Sequence, residues 1–283
     1  MSGAPNGLPP VVWLDGRLVA VDDARISPFD HGLLVGDGVF ETAKVVDGVA
    51  FALRRHLARL RRSAAGLGIE VPYTDDELRG AIGAVIAGNG PGTGRLRTTV
   101  TGGPGPLGSN RGGVAPTVIV AASTATPWAP TTTVVTVPWT RNERSAVAGL
   151  KTVSYAENVV ALAYAHERGA TEAVFADTTG RLSEGTGSNV FLVTGGRLLT
   201  PTLATGCLPG ITRDLVLEVT EAEEADVDLG VLANADEAFL TSSTRDVHPI
   251  SHVNGRALAG CPGLHTAAAA QTFANLAART LDP

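Results

Sequence analysis

Gly149-Leu150-Lys151-Thr152-Val153-Ser154-Tyr155 ends an irregular segment and stands just before a helix expected from about Tyr155 to Arg168. Only two of the 22 basic residues are lysines, Lys44 and Lys151, the rest being arginines. Arginine replaces lysine on most solvated surfaces, but its guanidinium stays protonated and cannot act as an amine nucleophile or proton shuttle. A lysine kept at a loop edge is therefore a candidate for chemistry. Taken alone it is equally an ordinary solvated residue, and its company has to decide.

Downstream lies Arg181-Leu182-Ser183-Glu184-Gly185-Thr186-Gly187-Ser188-Asn189-Val190-Phe191, a small, hydroxyl-rich turn feeding a strand. A carboxylate buried there needs a cationic partner. Next comes Gly206-Cys207-Leu208-Pro209-Gly210-Ile211-Thr212-Arg213, a glycine-bearing turn into a helix, where backbone N–H groups and the helix dipole favour a phosphate. Thr241-Ser242-Ser243-Thr244-Arg245-Asp246 is a hydroxyl cluster directly after a strand. With Arg59, these pieces supply amine, carboxylate, phosphate nest and guanidinium for one charged aromatic aldehyde. Each has a plainer reading as a helix start, a turn or a surface ion pair.

Working outward, Trp13 to Val21 reads as a hairpin about Asp15-Gly16, and Phe40 to Leu53 repeats the pattern about Asp47-Gly48. Leu57, Leu60, Ala64 and Leu67 recur at helical spacing, and Thr74 with Glu77 forms a capping-box pattern before a second helix. Strands follow at Leu96–Thr101, Thr117–Ala122 and Thr132–Val137, then at Ala173–Ala176 and Val190–Val193. Glu237–Thr241 looks like a last central strand, and an alanine-rich helix over His265–Thr280 closes the chain. Ser123 to Pro130 reads as a linker, which gives an N-terminal α+β domain over residues 1–124 and a C-terminal α/β domain over 125–283.

Hydrophobic residues make up 44% and charged residues 18% of the 283, which is globular composition. No apolar run is long enough to span a bilayer, and Met1 to Pro10 lacks the basic-then-apolar order of a secretory signal. The expected location is the cytoplasm. Cys207 and Cys261 make neither a disulfide framework nor a metal cluster. A net charge of -6 without a basic stripe argues against nucleic acid and for a small-molecule substrate. The Gly102–Gly113 run lacks the strand-to-helix setting of a phosphate loop.

From about Trp13 to Pro249 the sequence resembles the fold-type IV pyridoxal-phosphate enzymes, the class IV aminotransferase family. Its members include branched-chain and D-amino-acid aminotransferases and aminodeoxychorismate lyase. The Lys151, Ser183–Phe191 and Leu208–Arg213 segments fall in the family's order with similar spacing. The resemblance implies a two-domain α/β (α+β) architecture like that of D-amino-acid aminotransferase, with the site between the domains and a homodimer in which a neighbour's loop helps close the pocket. It implies that pyridoxal 5′-phosphate is bound by Lys151, which then moves a proton between substrate and cofactor. Glu184 is expected to face the pyridine nitrogen. Arg59, Ile211, Thr212 and Ser243 are expected to hold the phosphate, with Ser188 and Asn189 completing the cofactor set.

The substrate is the finer question. Gly36-Asp37-Gly38-Val39-Phe40-Glu41-Thr42-Ala43 looks more like the lyase than the branched-chain transaminases. Those typically have a tyrosine where Val35 stands and Tyr-x-Arg where this chain has Arg95-Leu96-Arg97. The expected reaction is conversion of 4-amino-4-deoxychorismate to 4-aminobenzoate and pyruvate, a step of folate biosynthesis. Amino-group transfer on a branched-chain or D-amino acid is the alternative. Arg95, Arg97 and Arg245 are candidates for the substrate carboxylates, and Tyr155 for a contact near the lysine. A non-catalytic relative would keep the pocket and lose the amine, so Lys151 argues for an enzyme.

Overall fold

The computed structural model describes residues 10–283, so most of the Met1–Pro10 stretch read for a secretory signal lies outside the described residues. The chain divides into two compact units. One runs up to Thr126 and takes in Leu150–Tyr155 and Leu281–Pro283; the other is Pro127–Gly149 with Ala156–Thr280.

In the first unit, β1 (Val11–Leu14) and β2 (Arg17–Ala20) form the first hairpin, followed by a short helix α1 (His31–Leu34). Then come β3 (Gly38–Val46), β4 (Val49–Ala50), α2 (Leu53–Gly66), α3 (Asp75–Asn89), β5 (Arg95–Thr101) and β6 (Thr117–Ser123). The six strands make one sheet in the order β2-β1-β6-β5-β3-β4, every pairing antiparallel. Alternation along β3 and β5 sends Val39, Ala43, Leu96 and Val100 into a core shared with Leu57, Leu60, Leu78, Ile82 and Val85 of α2 and α3. Phe40, Thr42, Arg95 and Arg97 take the alternate positions of the same two strands. The capping box of α3 is present, Thr74 accepting from the Glu77 N–H and Glu77 accepting from the Thr74 N–H.

The second unit holds β7 (Thr132–Arg141), α4 (Ala156–Glu167), β8 (Glu172–Asp177), β9 (Leu182–Gly185), β10 (Asn189–Thr194), β11 (Arg197–Thr200), α5 (Ile211–Val219) and β12 (Glu223–Glu224). After these come α6 (Leu229–Leu232), β13 (Glu237–Ser242), β14 (Asp246–Val253), β15 (Arg256–Ala257) and α7 (Leu264–Arg279). Strand order is β12-β11-β10-β13-β14-β7-β8-β9, with β15 on β14 and a further β9–β10 pairing that closes the six strands from β10 to β9 on themselves. Because β7 and β8 are parallel, the chain must cross back between them, and α4 lies in that crossover. Its Ala161 and Ala165 pack on Val135, Val137 and Phe175. No helix among the described residues is long and apolar enough to cross a membrane.

Two sequence expectations change. Glu237–Thr241 is not the last strand, because β14 runs antiparallel beside it. His248, Pro249, Ser251 and His252 give β14 a composition that hides it. The Lys151 segment, placed by sequence in a domain over 125–283, belongs to the first unit. The Phe40 N–H donates to the Lys151 carbonyl at 3.0 Å and the Val153 N–H to the Gly38 carbonyl at 2.9 Å, so the segment pairs with β3. Gly38 lets β3 lie close to its neighbours on both sides: a Cβ there would sit 2.7 Å from the Val100 carbonyl oxygen of β5 and 3.3 Å from Val153 Cγ2. The C-terminal residues join the same unit through the Ala52 N–H, which donates to the Leu281 carbonyl at 2.7 Å.

Candidate active site

In the first unit Lys151 is anchored by its backbone, its N–H donating to the Ser63 hydroxyl of α2 at 3.1 Å. Its Nζ stands 4.4 Å from the centre of the Phe40 ring and 5.8 Å from that of Tyr155. The two rings meet edge to face at 5.2 Å. Arg97 shares the Phe40 ring, its Cζ 3.6 Å from the centroid. Lys151, Tyr155 and Arg97, singled out separately in the sequence, therefore converge on one aromatic side chain. Arg97 Nε donates to Thr99 at 3.2 Å, and among the described residues no carboxylate pairs with it. Burial pushes its pKa down, with Tyr155 opposing. Two residues back on β5, Arg95 has a buried Nε without a hydrogen-bond partner among the described residues.

Arg59 lies behind this group in a buried trio. Its Nε and Nη2 donate to the two oxygens of Glu41, each at 2.7 Å, and His56 Nδ1 lies 2.6 Å from Glu41 Oε2. All three residues are at most 4% exposed. Burial opposes ionisation of Glu41, but the charge and hydrogen bonds of Arg59, joined by His56, outweigh it and bring its pKa down to about 2. Burial lowers the pKa of His56, Glu41 opposes, and the Arg59 and Lys151 charges add to the lowering, so the imidazole is neutral and donates from Nδ1. His31 is also tied internally, its Nε2 meeting the Pro106 carbonyl at 2.8 Å.

In the second unit Glu184 of β9 lies opposite Asn189 of β10. Arg141 Nε donates to Glu184 Oε1 at 3.1 Å while its Nη1 donates to Glu157 at 2.6 Å. The Leu208 N–H donates to Glu184 Oε2 at 2.9 Å. This supplies the cation that a partly buried Glu184 requires. Asn189 Nδ2 donates to the Leu208 carbonyl at 2.8 Å, and a Cβ on Gly210 would collide with the Asn189 amide oxygen. Gly210 is the N-cap of α5 and offers no side-chain acceptor to the first turn, where Ile211 and Thr212 stand. Cys207 beside them has its thiol pushed up to about 11 by burial and then by the Glu184 charge.

Ser188 donates to Glu172 at 3.2 Å, and Ser243 sits in the turn between β13 and β14. Arg245, read from sequence as a substrate partner, is engaged internally. Its side chain is 7% exposed, its Nη2 lies 3.4 Å from Glu172 Oε2, and its Cζ lies 3.7 Å from the Trp128 ring centre. Its Nη1 donates to His248 Nδ1 at 3.0 Å, and His248 Nε2 donates to the Ala129 carbonyl at 2.8 Å. Those contacts take Arg245 out of the carboxylate-binding set. Sequence reasoning missed Glu41, His56, Arg141 and Glu172. Only Glu41 carried a signal, a charge at an inward position of an alternating strand.

Residues 38–253 match the amino-transferase class IV family model. A protein assigned as a branched-chain-amino-acid aminotransferase in Methanocaldococcus jannaschii is 35% identical over 256 residues, covering 87% of this chain and 89% of that one. The aminodeoxychorismate lyase of Bacillus subtilis is 30% identical over 259 residues, covering 86% of each. The crystal structure of a branched-chain amino acid aminotransferase from T.th. with pyridoxamine 5′-phosphate superimposes with a TM-score of 0.88 at 26% identity, covering 97% of this chain and 95% of that one. These matches, made over most of the chain, identify an enzyme of mixed α/β fold. The chain belongs to the class IV aminotransferase family.

Proposed function

We propose that this enzyme uses pyridoxal 5′-phosphate to act on an amine bearing two carboxylates, with 4-amino-4-deoxychorismate as substrate and 4-aminobenzoate and pyruvate as products. The donor set suits the cofactor. The first-turn N–H groups of Ile211 and Thr212, under a glycine cap, offer an anion site to which the hydroxyls of Thr212 and Ser243 would add donors. Asn189 opens β10 opposite Glu184, and Ser188 immediately precedes it. When bound, the cofactor supplies an electron sink for the carbanion formed beside the substrate nitrogen.

Lys151 Nζ would hold the cofactor covalently and, released when the substrate amine takes its place, would take the proton from the ring carbon that bears the nitrogen. The ring carbon–oxygen bond to the enolpyruvyl group would then break, the ring becoming aromatic and the departing enolate taking a proton back from the Lys151 ammonium to give pyruvate. Glu184, which accepts from Arg141 and the Leu208 N–H, would be the residue that favours the protonated form of the cofactor's pyridine nitrogen. Arg97 holds a carboxylate, with Phe40 under its guanidinium to fix the plane of the fork.

The observation that carries the dicarboxylate reading is the pair Arg95 and Arg97, one face of one strand, with Arg97 facing no protein carboxylate among the described residues. A dicarboxylate amino acceptor such as 2-oxoglutarate would meet the same two arginines, so the products formed separate the two reactions. Amino-group transfer is the second reading, favoured by the 35% identity to the Methanocaldococcus jannaschii protein. We also propose a homodimer, supported by the exposed apolar side chains of Ile26, Phe29, Leu33 and Leu107 in the first unit.

The test is product analysis with 4-amino-4-deoxychorismate, and with amino acid plus 2-oxoglutarate, for wild type and Lys151→Ala. Formation of 4-aminobenzoate by wild type alone supports the lyase. Transfer that depends on a keto acid selects the second reading. A Lys151→Ala variant to which borohydride still fixes the cofactor, so that the reduced pyridoxyl absorbance stays with the protein through denaturation and dialysis, removes the lysine from its role.

A further inference from the structure

Glu172 opens β8 and is 2% exposed, yet no step above uses it. Its Oε1 accepts from the N–H groups of Ala173 and Thr186, each at 3.1 Å, and from the Thr186 hydroxyl. Its Oε2 accepts from the Ser188 hydroxyl at 3.2 Å and from Arg245 Nη2 at 3.4 Å. One carboxylate thus fastens two turns. The first, 186–188, joins the strand of Glu184 to the strand of Asn189; the second, 243–245, carries Ser243. Arg245 is held from its other sides by Trp128 and His248, so the second turn is fixed as a rigid block.

We infer that Glu172 is a positioning residue for cofactor retention, acting through the 186–188 and 243–245 turns; this rests on the pyridoxal-phosphate reading above. The geometry asks for a carboxylate. Both oxygens accept, and all five groups around them are donors. Glutamine keeps one acceptor, and its NH2 must face either the Thr186 N–H and hydroxyl or the Ser188 hydroxyl and Arg245. In either orientation one turn is released and a buried donor is left unmatched.

The experiment compares wild type, Glu172→Gln, Glu172→Gln/Arg245→Gln and Thr186→Val. Each full-length protein is stripped of cofactor and titrated with pyridoxal 5′-phosphate, following the visible absorbance, with the melting temperature of the stripped protein measured in parallel. Glu172→Gln is expected to raise the dissociation constant at least tenfold and to lower the melting temperature. The double variant removes the unmatched Arg245 charge, so it regains melting temperature but not affinity. Thr186→Val loosens one arm without unbalancing a charge and weakens binding severalfold. Binding by Glu172→Gln within twofold of wild type overturns the inference, as does a double variant in which affinity recovers together with melting temperature. A wild type that does not bind the cofactor, or that borohydride does not fix at Lys151, sinks the reading underneath and the inference with it. Only the wild-type arm reports that failure, so the two are distinguished.

Discussion

Replacing Glu41 with glutamine tests the buried trio behind Lys151. Folding lowers the Glu41 pKa from its ordinary 4.5 to about 2, with the group fully buried. At about 1.4 kcal/mol per unit, the ionised carboxylate contributes on the order of 3 kcal/mol to stability at neutral pH. Losing one partner of a buried ion pair costs about 3–5 kcal/mol by analogy, which is the same range. A depressed folded-state pKa means that this contribution is complete above 4.5 and fades as the pH falls from 4.5 toward about 2. Glutamine does not titrate, so the gap between wild type and variant should narrow in acid, by about 1.4 kcal/mol at a pH of about 3.5. Urea unfolding of both proteins, followed by circular dichroism from neutral pH down to that point, measures it. A gap below about 1 kcal/mol at neutral pH, or one that stays constant into acid, refutes the reasoning, because either result means that Arg59 and His56 do not hold Glu41 ionised.

Arg97→Met should raise KM for a carboxylate substrate by about 10–100-fold, the worth of one charge-assisted hydrogen bond, while changing kcat far less; steady-state kinetics check this, and an unchanged KM removes Arg97 from substrate binding. Iodoacetamide at mildly alkaline pH should label Cys261 and spare Cys207, since Cys207 is buried with its pKa pushed up to about 11 whereas Cys261 is partly exposed; peptide mapping reads the result, and equal labelling contradicts the burial of Cys207. Thr74→Ala removes the acceptor for the Glu77 N–H at the start of α3 and should cost about 1 kcal/mol in denaturant unfolding; no loss would mean that water replaces the cap.

Local chemistry was legible where it is self-contained. Asp15-Gly16 and Asp47-Gly48 announced hairpins because a two-residue turn needs positive φ at both positions, and they adopt 45° and 90°, and 49° and 78°. The Thr74 and Glu77 pair announced α3 for a similar reason, both groups lying within one turn. The strand β14 stayed hidden because its signal is tertiary: it is held by pairing with β13 and β7. The same holds for the Lys151 segment. Nothing within residues 149–155 shows that they pair with β3, since the complementary groups are the Gly38 carbonyl and the Phe40 N–H.

The charged groups make the sharper case. Chemistry required that a buried Glu184 have a cation, but not which of many arginines would provide it. Arg141 does so from 43 positions away, Arg59 serves Glu41 across 18, and Arg245 serves Glu172 across 73. Sequence spacing carries no trace of such pairs. It did carry the choice of residue type. Each of these sites uses a planar fork that stays charged when buried, and arginine alone supplies one. The scarcity of lysine then acquires a physical reading. Where the chain needs a fixed counter-charge it has arginine, and at 151 it has a compact amine, set over the rings of Phe40 and Tyr155, that can lose its proton. Lys151→Arg therefore preserves charge while removing the chemistry, so a Lys151→Arg enzyme that still bound the cofactor covalently would break the connection between residue type and role.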